Sequence, residues 1–171
     1  MTINRLIVLL AIACAFAVPA AAARVQASPK STGKATLVKP LSLLKLGDLD
    51  FGRIASGATA GTVTVDPNND ARTSTGGVTL MGGTPLAARF ISYGTQGSLL
   101  IVTRTANPIL VTRVGGTETM LVDTLILNGP TVRAIAANGT MDLRVGATLS
   151  VAANQVEGNY VGDMDVFVNY F

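Results

Sequence analysis

Beyond the first thirty residues, apolar and polar positions alternate in short runs and never settle into a helical period. Gly61–Val65 puts Val63 and Val65 on one face, and Asp66-Pro67-Asn68-Asn69-Asp70 then turns the chain. Val78–Met81 ends at Gly82-Gly83, Leu86–Tyr93 ends at Gly94-Thr95-Gln96-Gly97, and Leu99–Thr103 follows. Ile109–Val114 runs into Gly115-Gly116, a two-residue hairpin signal, and Thr119–Leu127 leads out of it. After Asn128-Gly129-Pro130 come Thr131–Ala136, the Asn138-Gly139 turn, Met141–Val145 and Thr148–Val151. Turn residues recur roughly every ten positions, and no connection is long enough for a parallel crossover. The pattern predicts an all-β, antiparallel sandwich or barrel.

The closing stretch, Tyr160–Phe171, alternates most cleanly. Tyr160, Gly162, Met164, Val166, Val168 and Tyr170 share one face; Val161, Asp163, Asp165, Phe167, Asn169 and Phe171 share the other. A strand with one face in the core must alternate in this way.

The start of the chain has a different logic. Met1–Arg5 carries one positive charge, Leu6–Val18 is an unbroken apolar run, Pro19 breaks it, and Ala20–Ala23 supplies small residues. These are the three regions of a secretory signal peptide. The apolar run of about thirteen residues is shorter than the roughly twenty a membrane-spanning helix needs. Residues 1–23 are therefore expected to be a removed signal, with cleavage after Ala23 or as late as Ala27. Residues 24–40 are expected to be a flexible basic arm, since Arg24, Lys30, Lys34 and Lys39 all precede the first acid, Asp48. Residues 41–171 are expected to form a single β domain.

Composition narrows the chemistry. Of the 171 residues, 49% are apolar and 13% charged, against about 25% charged in a typical soluble domain, so disorder and a coiled coil are both excluded. There is no His, which removes every mechanism built on imidazole. The one Cys, Cys14, lies inside the signal, so the mature chain has neither a disulfide nor a thiolate cage. The formal charge of +3 rests on few charged residues and is not the dense basic patch that nucleic acid requires.

Local motifs have simple readings. Ser42 and Lys45 match a Ser-x-x-Lys spelling, but in a strand an offset of three puts them on opposite faces. Asp66, Asn68 and Asp70 resemble the start of a calcium loop, yet Ala71 and Gly77 stand where Gly and Glu are required, leaving an Asx-rich turn. Asp48/Asp50 and Asp163/Asp165 read as solvated strand-edge carboxylates. Asn138-Gly139-Thr140 is first a turn. We expect no enzyme activity, no metal and no cofactor.

Read from its end, the chain resembles the pilins of chaperone–usher fimbriae. Those subunits have a penultimate Tyr, apolar residues fourth, sixth and eighth from the end, and a Gly fourteenth from the end; Tyr170, Val168, Val166, Met164 and Gly158 occupy these places. More of the chain, about residues 35–171, is similar to a secreted bacterial family known as domain of unknown function 4402, itself similar to pilins. The residues that carry this likeness are Leu49-Asp50-Phe51-Gly52, Val145-Gly146-Ala147-Thr148-Leu149 and Gly158-Asn159-Tyr160-Val161-Gly162. Many pilins have a disulfide that this chain lacks.

The resemblance implies an immunoglobulin-like, pilin-like sandwich that lacks one strand. It also implies like subunits, a periplasmic chaperone and an outer-membrane usher as partners, with passage through the periplasm to the cell surface. Gly158, Tyr160, Met164, Val166, Val168 and Tyr170 would form the interaction strand. Leu37, Leu41 and Leu43, with Val38 opposite, are the candidates for a donated arm. The expected function is thus a structural subunit of a fimbria or surface fibre, with adhesion as a further role. The competing expectation is a monomeric periplasmic or secreted β-sandwich binding module. The absence of Trp and the presence of only three Tyr weigh against a sugar-stacking site.

Export should leave a mature chain that begins at Arg24 or Ser28, as intact-mass measurement will show. A mature chain that still carries Leu6–Val18 would instead mean a membrane anchor.

Overall fold

In the computed structural model, which describes residues 31–171, thirteen strands and no helix form among those residues. The expected signal segment, its expected cleavage points at Ala23 and Ala27, and the expected arm as far as Lys30 lie outside them. Residues 31–36 are exposed and without regular structure, and residues 37–171 make one compact unit. The strands are β1 (Ser42–Gly47), β2 (Ile54–Ala55), β3 (Gly61–Val65), β4 (Arg72–Gly76), β5 (Thr79–Leu80), β6 (Ala88–Tyr93) and β7 (Leu99–Arg104). They continue with β8 (Ile109–Arg113), β9 (Thr119–Leu127), β10 (Val132–Ala134), β11 (Thr140–Val151), β12 (Tyr160–Val161) and β13 (Val166–Tyr170). Every pairing is antiparallel. No helix among the described residues is long and apolar enough to cross a membrane.

The strands form an eight-stranded sheet, in the order β1-β6-β11-β9-β8-β12 with β3 and β4 branching from β11, a three-stranded sheet β10-β7-β13, and a ribbon β2-β5. On one edge of β11, Thr140–Val145 pairs with β6 and Ala147–Val151 pairs with β3. Its other edge carries β9. Gly146 sits at the changeover, where a Cβ would strike the Val65 carbonyl oxygen and the Pro67 ring. The sequence pattern breaks this stretch into two strands at Gly146-Ala147. The chain instead runs straight through, because this glycine serves a close approach of backbone rather than a turn.

Inward side chains of both larger sheets enter one core. Val63, Val65, Leu143, Val145 and Ala147 from the eight-stranded sheet and Leu100 from the three-stranded sheet are all 0% exposed. Phe90, Val102, Val122 and Ile135 pack with them. Burial of each larger apolar side chain contributes about 1.5–3 kcal/mol. This alternation is the signal that made the strands visible in the sequence.

Where the alternation is absent, the sequence reading fails. β4, Arg72-Thr73-Ser74-Thr75-Gly76, has no apolar residue and was not foreseen; it is held by its ladder to β3 and by a Thr62–Thr75 hydroxyl bond of 2.8 Å. Its Arg72 guanidinium donates to the carbonyls of Phe51, Arg53 and Met81, which fastens the short β2-β5 ribbon. The Gly115-Gly116 hairpin is wider than its dipeptide predicts. Arg113 N–H donates to the Glu118 carbonyl, and their side chains form an ion pair of 2.6 Å. The expected terminal strand is split: β12 joins β8 and β13 joins β7, in different sheets, with Gly162–Asp165 unpaired as strand between them.

Asp70 locks the β3–β4 turn onto the sheet. Its φ of 59° lies in the left-handed region, which Asp tolerates, and its carboxylate accepts the Ala87 N–H at 2.7 Å and pairs with Arg144. The Ala87 N–H, then Arg144 by hydrogen bond and charge, then the charge of Arg89, hold its pKa below the ordinary Asp value, outweighing desolvation. A depressed folded pKa gives stability that is complete above the unfolded value and is lost as pH falls through the folded one. Wild-type stability should therefore drop below about pH 4, the usual Asp range. Asp70→Asn should be less stable at neutral pH and show a shallower acid decline, measured by urea unfolding at several pH values.

Candidate functional site

Among the described residues β1 pairs only with β6, and β13 only with β7, so each strand leaves one edge of its ladder open there. Leu41, Leu43, Met164, Val166, Val168 and Tyr170 pack against the core yet remain partly exposed, while Leu100, Val102 and Leu143 on the central strands are sealed. Lys45 sharpens the point. It stands directly opposite the buried Phe90, hence on the core side of β1, but it is exposed and reaches Asp48 at 2.7 Å. A lysine can occupy an inward position only where the core is open to water.

One end of these two edges is tied. The Tyr170 hydroxyl donates to the Lys39 carbonyl at 2.7 Å and accepts the Thr95 N–H at 2.9 Å. The Lys39 N–H in turn donates to Thr95 Oγ1 at 2.6 Å. Gly94 makes room for this clasp, since a Cβ there would lie 2.7 Å from the Tyr170 hydroxyl oxygen and against Ile135 and Leu41. The segment entering β1, the β6–β7 loop and the penultimate residue are thus joined by three hydrogen bonds.

The residues singled out from the sequence divide between places. Met164, Val166, Val168 and Tyr170 fall on the inward side of the C-terminal segment; Asp163, Asp165, Phe167 and Asn169 are exposed. Leu43 lies in β1, and both it and Leu41 pack on the core of their own domain. Leu37 is 99% exposed. Gly158 and Tyr160 lie elsewhere, at the β12 end of the eight-stranded sheet, opposite to β1. There the Tyr160 hydroxyl donates to the Val156 carbonyl and accepts from Gln155 Nε2. Gly158, with φ of 150°, leaves space that a Cβ would contest with the Arg113 side chain at 2.7 Å.

Sequence reading missed Lys39, Gly94, Thr95 and the inward position of Lys45. Gly94-Thr95 reads as an ordinary turn, and nothing local ties it to residues far away in the chain. The remaining polar motifs serve local structure. Asp66 Oδ1 accepts from the N–H and Nδ2 of Asn68, Asp50 accepts the Gly52 N–H, and Asn138 Oδ1 accepts from the N–H and hydroxyl of Thr140. Ser42 takes part through its carbonyl, which accepts the Ser92 hydroxyl.

Among known proteins, a family model described as Domain of unknown function (DUF4402) matches residues 41–170. No curated protein and no solved structure matches the chain.

Tyr170→Phe should remove both hydroxyl bonds of the clasp and cost about 1–3 kcal/mol. The Thr95 amide should then exchange with deuterium much faster, while amides of β11 speed up only as far as the lost global stability requires. Val168→Asp should cost about 2 kcal/mol or more by placing a carboxylate against the core. Asp165→Asn, on the exposed face, should stay within about 0.5 kcal/mol. Thermal melts of the three variants check the order.

Proposed function

The chain belongs to the DUF4402 family, and on that premise we propose that it is an exported structural subunit of a fimbria or surface fibre, built as a pilin-like, immunoglobulin-like sandwich that lacks one strand. The observation that carries this reading is the pair of open edges. β1 and β13 belong to different sheets, meet at the Tyr170–Lys39 clasp, and line an incompletely closed side of the core with Leu43, Lys45, Val166 and Val168.

An added strand would satisfy the free ladder of β13 and cover those side chains together. Three or four apolar contacts at about 1.5–3 kcal/mol each, besides ladder hydrogen bonds, suffice for lasting association. The donor is the segment that precedes Lys39 in the next subunit, with Leu37 as its exposed apolar residue. Leu41 and Leu43 are already committed to their own core. A periplasmic chaperone covers the same edge before assembly, and an outer-membrane usher carries the subunit outward.

Co-expression with its chaperone and usher should yield polymers that resist detergent until heated. Deleting residues 24–38, which leaves the clasp and β1 in place, should abolish these polymers and leave the melting temperature of the domain unchanged. Normal polymers from the deleted form would exclude donation by this arm. A wild-type chain that stays monomeric after export would favour the binding-module reading instead.

A further inference from the structure

In an extended segment alternate residues share a face, and the arm before Lys39 divides cleanly. Ser31, Gly33, Ala35 and Leu37 carry no charge, whereas the opposite face, Lys30, Thr32, Lys34, Thr36 and Val38, carries both lysines. The open side of the core selects between these faces. Lys45 occupies an inward position of β1. Arg104 occupies an inward position of β7, two residues beyond the buried Val102 and opposite Val166. Two cations on the core side repel a lysine that faces inward, and like charges set against each other in a sheet are destabilising. The uncharged face of an added arm, with Leu37, is therefore the one that turns inward.

The outward positions along β13 carry the opposite charge. From Asp163 to Tyr170 exposure alternates without a break: Met164, Val166, Val168 and Tyr170 are half-buried, while Asp163, Asp165, Phe167 and Asn169 are exposed. The backbone of Asp165 continues the ladder to β7, its N–H donating to Thr105 Oγ1 at 2.8 Å and its carbonyl accepting the Thr105 N–H at 2.9 Å. Both acids stand at the start of β13, away from the Tyr170 clasp. Every pairing in the fold is antiparallel. An arm laid antiparallel along β13 brings its C-terminal half, and so Lys34 rather than Lys30, to the acidic end. With Lys34 opposite Asp165, Asp163 is its diagonal neighbour, Ala35 faces Met164, Gly33 and Ser31 face Val166 and Val168, and Lys30 falls opposite Asn169. An inward face with one large side chain and a glycine specifies register weakly, which leaves the outward charges to set it.

Resting on the strand-donation reading above, we propose that Lys34 in the arm of an incoming copy sets the register of donation, pairing with Asp165 and Asp163 on the outward side of β13 while Leu37 faces the core. The two acids then act as specificity residues. They favour the basic arm of a like subunit and repel an acidic segment at the same edge. The arm itself has no acid, since the first in the chain is Asp48.

Co-expression of the full chain with its chaperone and usher, scored as detergent-resistant polymer, tests this. K34D and D163K/D165K should each lower polymer yield at least about threefold, because an attractive cross-strand pair becomes a repulsive one. The combined K34D/D163K/D165K chain should restore the yield, a rescue that a merely structural role for these residues does not produce. All three positions are exposed, so the total amount of exported chain should stay at the wild-type level. K30D, opposite Asn169, should polymerise like the wild type, and L37D should not polymerise. Polymers that need Leu37 but are indifferent to K34D and D163K/D165K would overturn this pairing and leave strand donation standing. Loss with K30D in place of K34D would overturn the antiparallel register. L37D polymers at wild-type yield, or no polymer from the wild type, would overturn strand donation by this arm and the pairing with it.

Discussion

Three groups of strands in the eight-stranded sheet, β1-β6, β3-β4 and β9-β8-β12, have no contact through ladder hydrogen bonds except by way of β11. One extended strand from Thr140 to Val151 must therefore satisfy β6 and β3 in succession on one edge and β9 on the other. The requirement falls hardest on Gly146, where the Val65 backbone crosses too closely for any side chain. The inward residues of β11, Leu143, Val145, Ala147 and Leu149, then set the floor of the core onto which the smaller sheet packs.

β11 is paired along one edge by β6 and β3 and over Val145–Ser150 of the other by β9, which leaves the outer strands to carry the long open edges. β4 is blunted by its wholly polar sequence, and its Arg72 is spent on carbonyls of the adjoining ribbon. β1 and β13 are not blunted in this way. Their inward sides mix apolar residues with the exposed Lys45, and their shared end is fixed by the Tyr170 hydroxyl. The outer face of the same small sheet is apolar as well, so β10-β7-β13 turns hydrophobic side chains both inward and outward.

The absence of His, and of any Cys other than Cys14, leaves packing and hydrogen bonds to carry the architecture of the described residues. Polar clamps accordingly appear at the places where strands are short or turns are strained. Asp70 with Arg144 holds the β3–β4 turn, Arg113 with Glu118 holds the β8–β9 hairpin, and Arg133 donates to Asn128 and Pro130 beside β10. Burial lowers the Arg133 pKa, and it stays charged at any physiological pH because its ordinary value is so high.

The sequence by itself determined the all-β class, the antiparallel character, most strand positions and the family, because each of these depends on alternation and turn residues within a few positions. Val63/Val65 and Val166/Val168 declare their inward face by period two alone. What tertiary structure decided is whatever depends on residues distant in the chain. Gly146 reads as a break until Val65 is seen against it; β4 reads as a loop until β3 offers a ladder; Tyr160 and Tyr170 read as one strand until their partners, β8 and β7, prove to lie in different sheets. The clasp of Tyr170 with Lys39 and Thr95, and the openness of the core beside it, follow the same rule. A hydrogen bond spanning most of the chain, or a missing neighbour at an edge, leaves no local period for a sequence to show.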